Sequence, residues 1–389
     1  MIACSALAVA VACAGPPISS YVVPGEGGFA ARPDRAVTVA PPGVGSSRLL
    51  VRTVDRTGHG RVVRGFDRYL LGSRKIFAGS GDNPSFSASV DQAGRWIVVN
   101  ARTTRYAYEG AEDYSFPSGE VVVAGTARGP VRELQACPGI GGGTESLDGS
   151  RLALTSCDGS KLVVHDLAHP GARPVEVPMR AISRRRMVSV TLAGGYLAVM
   201  EYGPVEEREV IRVLRWPSLK PVYTVTRAHV PPDFELARDG TLVVIRSPEG
   251  EPAFGPAAGP SSPCLNTRLE MVWLSPTEPV PHVLPGTPCE DVVSLHGDQV
   301  LFGRLVAPAA QGNAETDVAL TDLHGAAPRR VLANDTPTFA PSGVTFAADG
   351  SVEVQREGCG GTLRIDFFRL SDLLAGPLAP GQCPTRTAR

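Results

Sequence analysis

Short apolar segments separated by turn residues recur along most of this chain. Each repeat consists of an apolar strand, a turn that usually contains Asp-Gly, and a second apolar strand. Asp-Gly between alternating apolar runs indicates a β-hairpin, because both residues tolerate positive φ. Four clear copies lie at Ser89–Val98, Ser146–Leu154, Leu236–Val244 and Phe346–Val354, and weaker copies lie at Ala193–Val199 and Leu295–Leu301.

A second hairpin follows each of these copies. Leu162–Leu167 with Val175–Val177 is one example, and Ile211–Leu214 with Val222–Val225 is another. Two hairpins in about 50 residues form a four-stranded meander, and meanders repeated around an axis form a β-propeller. No long amphipathic helix interrupts the series, so we predict an all-β chain that forms a single propeller.

The number of blades depends on the N-terminal part of the chain. Six complete units are visible, and the segment Arg48–Ser73 adds further strands. These strands either form a seventh blade or complete the last one, which lacks a clear fourth strand. We therefore expect an N-terminal strand to close the propeller, and we favour seven blades, with six as the alternative.

The pattern Ser-x-Asp-Gly-x-x-Leu-Ala, seen at Ser146–Ala153, resembles the TolB-type propeller repeat. This WD40-like unit occurs in exported bacterial proteins, and the resemblance covers about residues 85–368. The proline that normally precedes Asp-Gly is replaced by Leu147, Arg238 and Ala348, so the chain departs from the family pattern. The resemblance implies the propeller fold and says little about an activity.

The first residues are typical of an export signal. Ile2–Ala12 is an apolar run of the length of a signal-peptide core and too short to span a bilayer. Small residues at Ala12 and Ala14 form an A-x-A cleavage pattern, although the usual basic residues before the run are absent. Val9–Cys13 also resembles a lipobox, with Cys13 as the lipid acceptor. Cleavage for secretion and lipid attachment both remain open.

These signals divide the chain into four parts. We expect residues 1–14 to be the signal peptide or lipoprotein leader and residues 15–47 to be a tether rich in Gly, Pro and Ser. Residues 48–384 then form the propeller, and residues 385–389 form a tail.

The cysteines agree with export, because an even number remains once the leader is removed. The six form local pairs, which are Cys137 with Cys157, Cys264 with Cys289, and Cys359 with Cys383. None of the pairs has C-x-x-C spacing and no histidine cluster accompanies them, so zinc binding is not indicated. If the strand assignment holds, all six lie at the same end of their blades, and we expect three local disulfides.

Composition limits the classes of partner. Lys and Arg total 38 against 39 Asp and Glu, so no overall positive charge indicates nucleic-acid binding. Lys75, Lys161 and Lys220 are the only lysines, and arginine supplies the other basic residues. We read this excess as the codon bias of a G+C-rich genome and draw no function from it.

Two segments are candidate binding elements. Residues 102–118 form a predicted loop between a second and a third strand, and this loop carries aromatic and acidic side chains. The candidate residues there are Tyr106, Tyr108, Glu112, Asp113, Tyr114 and Phe116. An inter-blade link carries Arg184, Arg185 and Arg186. Long loops on a rigid scaffold often bind partners, and exposed Tyr and Arg are frequent anchors.

The sequence contains no G-x-S-x-G, H-E-x-x-H, P-loop or EF-hand motif. We identify no cofactor, and structural Ca²⁺ has no motif to support it. These observations favour a non-catalytic binding protein of the bacterial cell envelope that captures a protein, a peptide or a glycan. The alternative is an extracytoplasmic hydrolase, lactonase or lyase with its site at the mouth of the propeller channel. We expect a monomer that contacts the membrane only through an N-terminal lipid.

Overall fold

A computed structural model of the chain describes residues 14–24, 28–40, 50–56, 59–66, 82–90, 95–109, 112–138, 145–182, 187–202, 209–228, 234–248, 269–286, 288–307, 315–333, 339–357 and 362–374. Within these ranges the protein is a seven-bladed β-propeller, and each blade has four antiparallel strands. The fold class and the blade number predicted from the sequence are therefore confirmed.

Contacts divide the chain into two compact units. One unit comprises Tyr21–Arg184 and Val190–Leu192 and contains blades 1 to 3. The strands of these blades are β2 (Gly28–Arg32), β3 (Arg35–Ala40), β4 (Leu50–Val54) and β5 (Gly60–Val62); β6 (Asp82–Val90), β7 (Trp96–Glu109), β8 (Glu112–Thr126) and β9 (Arg132–Pro138); β10 (Glu145–Asp148), β11 (Arg151–Thr155), β12 (Lys161–Asp166) and β13 (Val175–Pro178).

The other unit comprises Met1–Ser20, Arg185–Ser189 and Ala193–Arg389 and contains most of blades 4 to 7. The strands of blades 4 to 6 are β14 (Met187–Ala193), β15 (Tyr196–Tyr202), β16 (Glu209–Arg215) and β17 (Lys220–Ala228); β18 (Phe234–Leu236), β19 (Leu242–Arg246), β20 (Glu270–Leu274) and β21 (His282–Leu284); β22 (Pro288–His296), β23 (Gln299–Ala307), β24 (Glu315–Asp322) and β25 (Arg329–Ala333). Blade 7 consists of β26 (Phe339–Phe346), β27 (Val352–Glu357), β28 (Thr362–Phe368) and the N-terminal strand β1 (Ser19–Pro24).

The N-terminal strand completes the last blade, as the sequence predicted. The strand order in blade 7 is β1-β28-β27-β26, so β1 is its outer strand. The Ile18 N–H donates to the Phe367 carbonyl at 2.7 Å, and the Gly15 N–H donates to the Asp372 carbonyl at 3.1 Å. These bonds fix the chain against blade 7 from the first described residues onward.

The prediction that residues 15–47 form a tether is wrong for the described part of that segment. It contains β1, β2 and β3, so the propeller begins well before residue 48. Pro33, for example, lies in the turn between β2 and β3. Apolar residues in those strands are buried, as in β3, where Ala36, Val37 and Val39 have almost no exposed surface. Residues 1–13, including Cys13, and residues 385–389 lie outside the described residues.

The Asp-Gly turns form the predicted hairpins between the first and second strands. In blade 5 the Gly240 N–H donates to the Ala237 carbonyl at 3.0 Å, and Asp239 Oδ1 accepts from the Thr241 N–H at 2.9 Å. Gly240 has a φ of 91°, a conformation that glycine adopts without steric cost. A Cβ at Gly240 would lie 2.8 Å from ring atoms of Tyr196 and Pro276, so this position needs glycine for space as well.

Apolar clusters fill the spaces between blades of each unit. Within the first unit, Val37 and Val51 of blade 1 pack with Ile97 and Val121 of blade 2. In the second unit, Val243 of blade 5 packs with Phe302 of blade 6. Side chains on successive strand residues face opposite sides, so each blade supplies apolar residues to both neighbouring clusters.

Each blade has two distinct ends. We call the end with the turns between strands 1 and 2 and between strands 3 and 4 the turn end. The opposite end, with the connections between strands 2 and 3 and the links to the next blade, is the loop end. Two short helices, α1 (Met179–Ile182) and α2 (Leu370–Leu373), follow blade 3 and blade 7. No helix in the described part of the chain is long and apolar enough to cross a membrane.

Candidate functional site

A long hairpin extends from the loop end of blade 2. β7 and β8 have 14 and 15 residues, whereas the second and third strands of the other described blades have five to nine. The two strands pair from Trp96 with Thr126 as far as Glu109 with Glu112. The outer strand β9 reaches only to Gly119 in this ladder. We call the part between Thr104 and Pro117 the ribbon.

The ribbon replaces the loop predicted for residues 102–118. That prediction is wrong for the backbone, because alternating Tyr and Thr residues have high β-propensity and continue the ladder. Tyr106 lies opposite Ser115, Ala107 opposite Tyr114, and Tyr108 opposite Asp113. Glu112 and Phe116 lie in β8, the strand that also contains Asp113 and Tyr114. The side chains of all six predicted residues lie outside the described part of the structure, as do Arg184, Arg185 and Arg186 entirely.

A disulfide joins blades 2 and 3 at their loop ends, the end from which the ribbon also extends. Cys137, the sixth residue of β9 in blade 2, is bonded to Cys157, which follows β11 in blade 3. Their Cα atoms are 5.2 Å apart, within the range of ordinary disulfides. This is one of the three predicted pairs. Cys289 lies in β22, and its side chain, like Cys264, Cys359 and Cys383, lies outside the described residues.

Buried ion pairs occupy the loop-end halves of the second and third strands in four successive blades. In blade 6, Arg304 donates to both carboxylate oxygens of Asp317, at 2.9 and 2.6 Å. This contact raises the pKa of the Arg304 guanidinium above its usual value. In blade 5, Arg246 Nε donates to Glu270 Oε1 at 2.8 Å. In blade 4 the acid and the base exchange strands: the buried Glu201 lies in the second strand, and Arg212, which donates to it, lies in the third.

The most elaborate of these pairs closes blade 7. The Asp366 side chain has no exposed surface and accepts from Arg356 and from Arg364 Nε at 2.9 Å. The hydroxyl of Ser20, in the N-terminal strand, donates to Asp366 Oδ1 at 2.5 Å. Buried charges are tolerated when they are paired and hydrogen-bonded. Asp366 therefore fastens the closing strand to the blade.

Glu235 is a half-buried carboxyl group of a different kind. It lies in β18, the first strand of blade 5, opposite the fully buried Val243. Among the described residues, no hydrogen bond or ion pair reaches its side chain. Burial raises the pKa of Glu235 from 4.5 to about 7. A carboxyl group that titrates near neutral pH is able to take and return a proton.

The polar residues of the second strands, which sequence reasoning missed, follow a positional rule. A polar residue stands six or seven positions after the turn glycine in the second strand of six blades. These residues are Asn100, Thr155, Glu201, Arg246, Arg304 and Arg356. Aligning the repeats with one another would have found this recurring position, because a polar residue that recurs in an otherwise apolar strand needs a partner. Glu235 has no comparable signal in its short strand.

Metal ligation finds little support in the described ranges, where no three His, Cys, Asp or Glu side chains form a group that could hold an ion.

Comparison with known proteins finds relatives in structure alone. No protein-family model matches the chain, and no curated protein matches it in sequence. Solved prolyl endopeptidases are similar over 94% of this chain and 48% of theirs, with a TM-score of 0.52 and 14% identity. The chain thus spans about half the length of that enzyme. At this identity the likeness shows the propeller fold.

Two further solved structures resemble the chain less. The β-propeller domain of the Trilobed protease from Pyrococcus furiosus has a TM-score of 0.45 and 13% identity over 69% of this chain and 77% of that chain. The WD40 domain of Pan2 from Neurospora crassa has a TM-score of 0.41 and 9% identity over 75% of this chain and 90% of that chain.

Proposed function

We propose that the chain is an exported β-propeller of the bacterial cell envelope that binds a partner non-covalently and catalyses no reaction. The observation that carries this proposal is the ribbon of blade 2. Its strands continue for several residues beyond the part of β8 that pairs with β9. At about 3.3 Å per residue, these extra residues span roughly 20 Å. Such an extension adds little to the blade itself and presents chain to a partner.

The composition of the ribbon suits recognition. Four aromatic residues and three acidic residues lie within Arg105–Phe116. Tyr residues contribute large contact areas with little loss of conformational entropy and are enriched among residues that dominate binding energy. The acidic residues favour a partner with basic or hydrogen-bond-donating groups. A protein or peptide of the envelope fits this chemistry, and a glycan is the alternative partner.

Export is supported by the disulfide and by the N-terminal sequence. Disulfides form and persist in oxidising compartments and are rare in the cytosol, and Cys137–Cys157 joins two blades. Ile2–Ala12 has the pattern of a signal-peptide core. The TolB-type resemblance adds that similar repeats occur in exported bacterial proteins. A lipid on Cys13 would lie two residues before Gly15, which is hydrogen-bonded to the helix region after blade 7.

A matched set of variants tests the binding role. The full chain is compared with a triple variant that carries Tyr106→Ser, Tyr108→Ser and Tyr114→Ser, and with a control that carries Tyr202→Ser in blade 4. Each is immobilised and incubated with a detergent extract of the native envelope, and bound proteins and glycans are quantified. We expect the full chain and the control to retain one partner. The triple variant should retain at least tenfold less of it. Equal retention by all three would contradict the proposal.

Localisation is tested separately. We expect the full-length chain, expressed in a G+C-rich bacterium, to appear outside the cytoplasm with a processed N-terminus. Accumulation of the precursor in globomycin, together with fatty-acid labelling, would assign the lipid to Cys13. Insensitivity to globomycin with cleavage after Ala14 would assign secretion. An unprocessed chain in the cytoplasm, with titratable thiols at Cys137 and Cys157, would contradict export.

A second function has one observation in its favour. Glu235 lies in the first strand of its blade, the strand that faces the channel in a propeller, and its pKa of about 7 suits a general acid or base. Such a group would serve the alternative function given above, that of an extracytoplasmic hydrolase, lactonase or lyase. Turnover of ester, lactone or uronate-polymer substrates by the full chain, lost in a Glu235→Gln variant that folds normally, would establish it.

A further inference from the structure

A polar cleft opens at the turn end of blades 1 and 2, away from the ribbon. Three turns form its walls: the β2–β3 turn, the β4–β5 turn and the β8–β9 turn. Its volume is about 480 Å³, which is in the range of sites for small ligands. Aliphatic residues such as Val54 and Ala127 form part of the lining, together with His59.

Two of these turns are held in place by hydrogen bonds. The Pro33 carbonyl, in the β2–β3 turn, accepts from the buried Tyr21 hydroxyl at 3.2 Å and from Arg56 Nε at 3.0 Å. In the β4–β5 turn, the His59 N–H donates to Asp55 Oδ1 at 3.1 Å. The walls are therefore organised before any ligand arrives, which reduces the entropy lost on binding.

The third wall, the β8–β9 turn, is also held in place by a hydrogen bond. The Gly129 N–H donates to Thr126 Oγ1 at 2.7 Å and fixes the β8–β9 turn. Arg128 stands one residue earlier in this turn and is exposed. It lines the cleft from blade 2.

The charges around the cleft are only partly compensated. Asp34 accepts from Arg35 Nε at 3.0 Å, so this pair neutralises itself at the edge of the cleft. Arg61, in β5, and Arg128 are both exposed. Neither has a hydrogen bond or an ion pair from its guanidinium within the described ranges. Arg61 and Arg128, from two blades, thus line the same cleft as Asp55, whose carboxylate accepts from the His59 N–H.

We propose that this cleft binds a small hydrophilic anion that carries two or more oxyanionic groups, with Arg61 and Arg128 as the binding residues. The planar guanidinium donates two parallel hydrogen bonds to a carboxylate, phosphate or sulfate group. Arg35 and Thr53 lie in the same lining, where Arg35 is paired with Asp34 and the Thr53 hydroxyl donates to the Arg61 carbonyl at 3.5 Å.

The site does not depend on the ribbon, since the two lie at opposite ends of the blades. Loss of partner binding by the ribbon variants and loss of anion binding by the arginine variants are therefore separate results. Each proposal can fail while the other stands.

Calorimetric titration of the full chain with citrate, inorganic phosphate and sulfate tests the proposal. Citrate carries several carboxylates, whereas phosphate and sulfate are single groups, so the three probes separate multidentate from single-group recognition. Glucose serves as the uncharged probe. Arg61→Gln, Arg128→Gln and their combination are compared with Arg173→Gln and Arg329→Gln, which remove exposed arginines elsewhere.

We expect saturable one-to-one binding of citrate that weakens at least fivefold in each cleft variant and further in the double variant. Phosphate and sulfate bind more weakly, and glucose does not bind. Raising NaCl from low to physiological concentration reduces the affinity, because exposed charges are screened. No saturable binding of any anion, or the same loss in the Arg173 and Arg329 controls, would overturn the proposal. Thermal melts of every variant confirm that each is folded.

Discussion

Arginine has opposite surroundings in two regions of this protein. In blades 5 to 7, Arg246, Arg304 and Arg356 are each paired with a carboxylate inside the blade. At the turn end of blades 1 and 2, Arg61 and Arg128 are exposed and have no described acidic partner. One residue type therefore serves the interior of one unit and the surface of the other.

The difference shows how burial decides the role of a charge. A buried carboxylate costs several kcal/mol unless a cation and hydrogen bonds compensate it, so losing the partner is severe. An exposed guanidinium is well hydrated, and its loss changes stability little. The paired arginines should therefore affect folding, and the unpaired ones should affect ligands.

The largest expected effect comes from Asp366. Asp366→Ala leaves Arg356 buried without its anion and removes the acceptor of the Ser20 hydroxyl. We expect the free energy of unfolding to fall by about 3–5 kcal/mol. Urea unfolding followed by tryptophan fluorescence measures the change. Asp366→Asn, which keeps an acceptor oxygen, should lose less, and a loss below about 1 kcal/mol for the alanine variant would mean that the pair does not hold the blade.

The disulfide provides the corresponding test in the unit that contains blades 1 to 3. Cys137 is buried and Cys157 is exposed, so the matched variant combines Cys137→Ala with Cys157→Ser. The closed loop has a sequence separation of 20 residues, and chain entropy predicts a loss of about 3 kcal/mol. Urea unfolding of the oxidised wild type and of the variant measures this value. Coincident unfolding curves would show that the covalent link adds nothing to the apolar packing.

Glu235 sharpens the comparison because it is half-buried and has no arginine partner among the described residues. Its pKa in the folded protein is raised to about 7, from 4.5. The folded state therefore keeps a proton that the unfolded state has released, and stability falls as pH rises from about 4.5 to 7. We expect a loss of about 1–3 kcal/mol over this interval.

Glu235→Gln should remove that part of the pH dependence and make the protein more stable than the wild type at pH 8. Glu133→Gln, at an exposed position, is the control and should follow the wild-type profile. Glu353 also has a raised pKa, mainly because of burial, so a Glu353→Gln variant accounts for its share. If the stability of the wild type is flat between pH 4.5 and 7, Glu235 is ionised in the folded protein.

Much of the fold could be predicted from the sequence because local signals determine it. Asp-Gly turns specify hairpins through the φ of the glycine, and Gly149, Gly240 and Gly350 all have positive φ. Closure by an N-terminal strand followed from the incomplete last repeat. The tether at residues 15–47 was wrong because Gly and Pro mark short turns as strongly as they mark flexible linkers.

The polar groups could not be predicted in the same way, because their roles depend on contacts distant in the sequence. Ser20 and Asp366 lie 346 positions apart, and Arg61 and Arg128 meet at the cleft only after two blades have folded. Arginine is so abundant in this chain that composition cannot separate the paired residues from the free ones. Only burial and partners distinguish them.

The smallest expected effect on stability is the sharpest test of the comparison. Arg61→Gln and Arg128→Gln remove charges that have no described partner, so each should change the free energy of unfolding by no more than about 0.5 kcal/mol. Arg304→Gln is the paired counterpart: it leaves Asp317 buried without its cation and should cost several times more. Urea unfolding of the three variants under identical conditions measures both. If Arg61→Gln or Arg128→Gln destabilises the protein as much as Arg304→Gln, these arginines support the fold and the division between the two regions fails.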